Sequence, residues 1–311
     1  MFSNKYSLTF IVLFFISALS AQTVQVALTP DQIKALTPEW QGERFADGRP
    51  KVSDGLLARL KNISMEEAWG TLRNLGFNNQ YEGDWLIIHE DQEMVGRAVT
   101  AQYMPLRKDW NDLIKKKGEE EGRIGGTNSW PIDVLLPGDI YVADGYGKIV
   151  DGTLIGDNLG NSIYAKSKNG VIFNGSVRDV AGLEKIEGFN GWVKGQDPSY
   201  IQEMMMSGIN QPIRIGRATV LPGDAILAKR TGVIFIPAYL VEQVVIRSEF
   251  IALRDQFGHQ RLREGKYTPG QIDRQWTDDI KSDFLSWLDD NADKLPMSRA
   301  ELDQYMKDRS W

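Results

Sequence analysis

A chain of 311 residues with 42% hydrophobic content can bury an ordinary globular core, and its formal net charge of −6 lacks the basic face that a nucleic-acid partner needs. The absence of cysteine excludes disulfides and thiolate metal sites, and with only His89 and His259 a histidine-rich zinc centre is excluded too. Any bound cation is therefore expected on oxygen ligands, with Mg²⁺ or Mn²⁺ first.

Residues 1–21 carry Lys5 in a short polar start, an apolar run from Leu8 to Leu19, and small residues at Ala18, Ser20 and Ala21. That order predicts a secretory signal peptide cut after Ala21, because the run is shorter than the ~20 residues of a spanning helix. The expected location is across the inner membrane, in a bacterial periplasm, with no stable membrane anchor. Residues 22–53 read as an N-terminal extension. Thr29-Pro30-Asp31 and Thr37-Pro38-Glu39 predict helix starts, with Pro at the first helical position and acid in the first turn. The polar, Gly/Pro-rich piece from Gly42 to Ser53 predicts an extended arm on the surface or on a neighbouring subunit.

From Asp54 to Leu75 apolar residues recur at helical spacing, and Ser64 followed by Glu67 predicts a capping box. Strands are expected at Trp85–His89 and Arg97–Tyr103. The charge runs Lys115-Lys116-Lys117 and Glu119-Glu120-Glu121 make the stretch from Arg107 to Trp130 an exposed helix end or insertion loop. From Leu135 onward short apolar runs alternate with glycine. They predict strands at Ile140–Ala143, Gly170–Phe173, Pro212–Ile215, Thr219–Leu221, Ala225–Ala228 and Val233–Ile236. Helices are expected near Asn161–Lys168 and Val180–Ile186. Leu136-Pro137-Gly138-Asp139 recurs as Leu221-Pro222-Gly223-Asp224, predicting two turns that each open a strand. Beyond Val245 the chain turns polar and helical, with Trp276, Trp287 and Trp311 expected to pack helices rather than stack on a ligand. Periodicity by itself yields only mixed α and β.

Chemistry concentrates in Gly156-Asp157-Asn158-Leu159-Gly160 and Gly175-Ser176-Val177-Arg178-Asp179, with twenty residues between Asp157 and Arg178. Two carboxylates and a guanidinium at the mouths of apolar strands can hold a hard divalent cation and neutralise an oxyanion beside it. An Asp after a Gly is also a common turn residue, and an Arg-Asp pair a common surface ion pair. Gly145-Tyr146-Gly147 lacks the third glycine of a dinucleotide loop and reads as a turn.

The segment from Leu135 to Pro237 resembles the RraA-like family, which includes the 4-hydroxy-4-methyl-2-oxoglutarate aldolases. It carries the Gly-Asp-x-Leu loop, the twenty-residue spacer and the Arg-Asp pair. Pro137-Gly138-Asp139, Val177 to Val180 and Pro222-Gly223-Asp224 stand in family order, and a weaker likeness covers Thr71 to Arg107. The resemblance implies an α/β fold, a β/β/α swivelling-type domain over residues 54–245. A helical C-terminal extension over 246–311 and assembly as homotrimer or hexamer are expected with it.

By the same resemblance the chain is a class II pyruvate aldolase. It would cleave a 4-hydroxy-2-oxo acid by a retro-aldol reaction through a metal-held pyruvate enolate, with oxaloacetate decarboxylation as a side activity. Asp179 is then the metal ligand and Arg178 the donor to the developing enolate oxygen. Backbone N–H groups of Gly156, Asp157, Asn158 and Leu159 would hold the substrate carboxylate at a helix start, and Asp157 would orient a water that serves as base. Lys166, Lys168 and Lys185 read as solvent-facing, which disfavours a Schiff base. Two departures stand out. Many relatives have an acid where this chain has Gly182, leaving Glu184 and Glu187 as nearest substitutes, and Lys229-Arg230-Thr231 replace acids before the final strand, which bears on substrate choice. Other readings are a non-catalytic binding ring, since the family includes a ribonuclease inhibitor, and an enzyme acting on a sugar-derived acid.

Overall fold

A computed structural model describes residues 24–307; the expected signal segment 1–21 and Trp311 lie outside the described residues. Three short helices come first. α1 (Pro30–Leu36) is closed by a capping box, Thr29 accepting from the Gln32 N–H and Gln32 accepting from the Thr29 N–H. α2 (Asp54–Lys61) starts from Ser53, and α3 (Met65–Asn74) from the expected Ser64–Glu67 box. Such boxes satisfy N–H groups that a helix start leaves bare.

Two expectations about the N-terminal extension are corrected. Thr37-Pro38-Glu39 starts no helix: Thr37 ends α1, its hydroxyl donating back to the Ile33 carbonyl at 2.9 Å, so it cannot cap a following turn. The arm from Gly42 to Ser53 lies only partly on the surface: Gly42, Glu43 and Ala46 are exposed, but Gly48, Arg49, Pro50 and Val52 are buried against the body of the same chain. Arg49 is fully buried, 2.9 Å from Asp139 and 2.6 Å from Asp47, and Val52 is buried beside it. The Phe45 ring packs under the Arg49 and Arg97 guanidinium groups at 5.0 and 5.3 Å, adding cation–π attraction to the ion pairs.

The strands are β1 (Tyr81–Glu82), β2 (Leu86–Ile87), β3 (Met94–Pro105), β4 (Asp139–Asp144), β5 (Val171–Val177), β6 (Gly191–Gln196) and β7 (Met204–Ile209). They are followed by β8 (Ile213–Ile215), β9 (Ala218–Val220), β10 (Ala225–Lys229) and β11 (Gly232–Ile236). One mixed sheet runs β1-β11-β10-β3-β4-β5-β6-β2, and β7 pairs with the second half of β3. Its centre, β3 to β6, is parallel, so each step needs a crossover. α4 (Lys108–Glu120) with α5 (Trp130–Asp133), then α6 (Asp157–Ser167), then α7 (Val180–Leu183) supply them.

Alternate residues of the central strands feed two different cores. Tyr141, Ala143, Val171 and Phe173 pack with Ile163 of α6 and Leu183 of α7, whereas Ile140, Val142 and Ile172 pack with Ile213, Ile215 and Val220 of the β8–β9 hairpin. With both faces covered, these strands read as continuous apolar runs. α8 (Val241–Arg263) begins in a third core shared with α2 and α3, then runs out to α9 (Pro269–Ile272), α10 (Asp278–Asp290) and α11 (Arg299–Lys307). There Trp276 and Trp287 surround Phe257 and Phe284, with ring centroids 5.3 to 6.1 Å apart, so these tryptophans pack helices. No helix of the described residues is long and apolar enough to cross a membrane.

Candidate active site at the carboxyl ends of β5 and β6

Parallel pairing brings the ends of β5 and β6 to the same edge of the sheet, where ligands of open α/β sheets commonly bind. The loop that leads to α6 is laid along β5. Thr153 bridges Ser176, Leu154 N–H donates to the Ser176 carbonyl at 2.9 Å, and Arg178 N–H donates to the Ile155 carbonyl at 3.0 Å. This short ladder delivers Gly156 against Arg178 and Asp179. A β-carbon at position 156 would sit 2.3 Å from Asp179 Oδ2 and 3.2 Å from Arg178 Nε, so glycine is demanded by close approach.

Asp179 sits at φ 54 and ψ 39, a left-handed conformation that is uncommon outside glycine and turns the chain sharply from β5 into α7. It precedes α7 without capping it through the side chain, and Arg178 Nε lies 3.7 Å from its Oδ2. Both side chains are 43% exposed, so the carboxylate is presented to the cavity rather than consumed by the helix start. α6 opens at Asp157 immediately after Gly156. Its first helical bond is Gly160 N–H to the Gly156 carbonyl, so the N–H groups of residues 157–159 have no acceptor within the helix.

A cavity of about 430 Å³ is lined by Arg178, Asp179, Val180, Gln196, Asp197 and Pro198. The wall made by residues 196–198 was not anticipated from sequence, where the Asp-Pro step reads merely as a turn after a strand. Asp197 N–H donates to the Val177 carbonyl at 3.1 Å, and its Oδ1 accepts the Ser199 N–H at 3.0 Å. The Ser199 hydroxyl and N–H hold the Asp197 carboxyl below the usual range. Ser199 also ties this wall to the loop that leads to α6: its Oγ accepts the Asp151 N–H at 2.7 Å and its carbonyl accepts the Thr153 hydroxyl at 2.6 Å.

Of the residues singled out by sequence, Arg178 and Asp179 line the cavity and Gly156 packs against both. Asp157 stands to one side of the cavity: a β-carbon on Gly182 would lie 2.6 Å from Asp157 Oδ2, so the glycine that stands where relatives have an acid makes room for this carboxylate. Asn158 is exposed and Leu159 packs on the core below α6. Glu184 and Glu187 are exposed and line no wall of the cavity. Lys229-Arg230-Thr231 form the turn between β10 and β11, with Lys229 Nζ 3.0 Å from both the Lys61 carbonyl and Glu93. Register against Met94 puts that turn at the end of the sheet opposite Arg178, so within one chain it does not line the cavity. Lys166, Lys168 and Lys185 are exposed, and Lys166 donates to the Asp133 carbonyl.

Among the described residues no group of three or more His, Cys, Asp or Glu forms a ready-made cage for a metal. The Asp179 carboxylate, exposed beside Gly156, suits a cation such as Mg²⁺ that keeps several waters and takes one or two carboxylates.

Residues 50–235 match the family model RraA-like, described as Aldolase/RraA. Protein DlpA of Legionella pneumophila is 28% identical over 213 residues, 65% of this chain and 30% of that protein. A provisionally named 4-hydroxy-4-methyl-2-oxoglutarate aldolase of Shewanella oneidensis is 32% identical over 103 residues, 30% of this chain and 62% of that protein. The chain thus spans under a third of the first relative and under two thirds of the second. A solved structure of Streptomyces coelicolor RraAS2, titled an unusual member of the RNase ES inhibitor RraA protein family, superposes with a TM-score of 0.53 at 22% identity. That likeness covers 70% of this chain and 97% of the Streptomyces chain, and it bears on the fold.

Proposed function

Since the chain belongs to the RraA-like family, we propose that it is a divalent-metal-dependent lyase that cleaves a 4-hydroxy-2-oxo acid by a retro-aldol reaction and releases pyruvate. The observation that carries this reading is that Arg178 and Asp179 line one open cavity with Gly156 packed against both. In the cleavage the C4 hydroxyl loses its proton and becomes a carbonyl, the C3–C4 bond breaks, and its electron pair passes to the pyruvate half, where C3 later takes up a proton. Asp179 would hold the Mg²⁺ or Mn²⁺ ion, which when bound supplies positive charge beside the 2-oxo acid.

Arg178 donates to the oxygen on which charge develops; removing such a donor commonly costs about 10²–10³ in rate. The free N–H groups at the start of α6 receive the substrate carboxylate. Asp157, at the first position of α6, orients the water that takes the C4 hydroxyl proton. Oxaloacetate decarboxylation, which leaves the same pyruvate electron pair but needs no base at C4, is the proposed side activity. Proteins of this family form oligomers, and a homotrimer or hexamer is proposed here. The periplasm is the proposed location, on the strength of residues 1–21.

The test is pyruvate release by the purified protein from a panel of 4-hydroxy-2-oxo acids, with and without Mg²⁺. Asp179→Ala is expected to abolish both activity and metal dependence, and Arg178→Lys to be poor because lysine loses the planar two-oxygen fork. Near-normal turnover by Asp179→Ala would sink the metal assignment. Inactivity of the unaltered protein on every acid would favour the non-catalytic ring.

A further inference from the structure

We infer that Asp197 sets the substrate class of this cavity, favouring 2-oxo acids whose half beyond C4 is uncharged and hydroxylated over those with a second carboxylate there. The inference rests on the retro-aldol reading above. Apart from the cation proposed on Asp179, the protein's own charged groups in the cavity are Arg178, Asp179 and Asp197. Arg178 and the start of α6 are engaged by the 2-oxo acid end of the substrate. What remains for the far half is the wall of Gln196, Asp197 and Pro198, which offers a carboxylate and a carboxamide and no positive group.

Nearby lysines cannot reverse that charge. Lys148 lies 3.7 Å from Glu203, and Lys194 on β6 donates to the Gly83 and Asp84 carbonyls at the far side of the strand. Nor can Asp197 readily swing aside. Its N–H is bonded to Val177 and its Oδ1 to the Ser199 N–H, while Ser199 is itself fixed by Asp151 and Thr153. A second substrate carboxylate against this wall would therefore meet a like charge held in place. A hydroxyl would find an acceptor in Asp197 and both a donor and an acceptor in Gln196. Selectivity of this kind comes as much from repelling the wrong ligand as from attracting the right one.

The experiment compares kcat/KM for 4-hydroxy-2-oxopentanoate, its 5-hydroxy counterpart and the diacid 4-hydroxy-2-oxoglutarate at saturating Mg²⁺. The unaltered protein should favour the monoacids by about ten-fold or more, and Asp197→Asn should move the diacid-to-monoacid ratio by a similar factor, mainly through KM. Asn preserves the acceptor for the Ser199 N–H, so the turn is kept. Ser199→Ala, which loosens the turn without changing charge, should affect all three acids alike. A preference for the diacid, or the same ratio change in Ser199→Ala as in Asp197→Asn, would overturn the inference. If no acid is cleaved the retro-aldol reading falls instead. Calorimetric affinities for the same three acids then decide the role of Asp197, with equal binding of monoacid and diacid counting against it.

Discussion

Leu136-Pro137-Gly138-Asp139 and Leu221-Pro222-Gly223-Asp224 fold into the same turn in opposite electrostatic surroundings. In each, glycine takes a left-handed φ, 83° and 86°, after proline, and the aspartate carboxylate accepts the leucine N–H at 2.9 and 2.8 Å. Each aspartate closes the turn with its own N–H to the leucine carbonyl and is buried, Asp139 as the first residue of β4 and Asp224 just before β10. Asp139 meets Arg49 at 2.9 Å and Arg97 at 3.8 Å. Asp224 meets only N–H groups, from Leu221 and Ala238, and burial pushes its carboxyl up to about 7. Burial also raises Asp139, but its two arginines pull the other way. Four identical residues thus dictate a backbone, while the charge around it comes from residues up to ninety positions away.

The largest expected effect comes from removing the difference. Arg49→Ala leaves Asp139 buried with a weakened cation and should cost about 3–5 kcal/mol in denaturant unfolding at neutral pH. A loss below about 1 kcal/mol would mean that Arg97 alone compensates Asp139.

The second effect lies at the other turn and depends on pH. Because the folded Asp224 carboxyl titrates near 7, above its ordinary 3.8, its contribution to stability is complete below the ordinary value and is lost as pH rises through 7. That displacement corresponds to at most about 4 kcal/mol. Asp224→Asn should abolish this slope between pH 4 and 8, and at pH 8 gain about 2 kcal/mol, the unpaired amide N–H offsetting the rest. Stability curves that fall in parallel for both proteins over that range would show that Asp224 does not titrate as described.

The smallest effect sharpens what each turn packs against, Arg97 of β3 at the first and Pro50 of the N-terminal arm at the second. A β-carbon on Gly138 would lie 2.2 Å from Arg97 Nη2, and one on Gly223 would lie 2.5 Å from Pro50 Cδ and 2.9 Å from Pro50 N. An arginine tip can shift at the expense of its hydrogen bonds; a proline ring joined to backbone cannot. Both alanine variants share the strain of a left-handed φ, so Gly223→Ala should exceed Gly138→Ala by about 1 kcal/mol in thermal unfolding. The reverse order would place the rigid contact at Arg97.

These turns were legible because everything that makes them is local. So were the helix start at Thr29-Pro30-Asp31, the Ser64–Glu67 capping box, and the apolar runs that became β4, β5, β10 and β11. β6, with Gly191, Lys194 and Gly195, and β7, with three methionines in a row, carry little intrinsic strand preference and became strands through pairing with β5 and β3. The arm around Arg49 was misread as superficial because nothing near it in sequence announces a buried carboxylate ninety residues on.

For the candidate site, the spacing of Asp157, Arg178 and Asp179 singled out three residues, of which Arg178 and Asp179 line one cavity. Their sequence also marked the glycine at 156, without saying that Asp179 needed its space. What the sequence by itself determined is what neighbours within a few residues control: caps, turns, strand interiors and the residue types available for oxyanion and cation chemistry. The tertiary structure alone decided which wall faces Arg178, that Asp157 leans on Gly182, and that one buried aspartate is paired and the other is not. Those outcomes depend on which strand ends lie side by side, and charge and close contact act across that space whatever the distance along the chain.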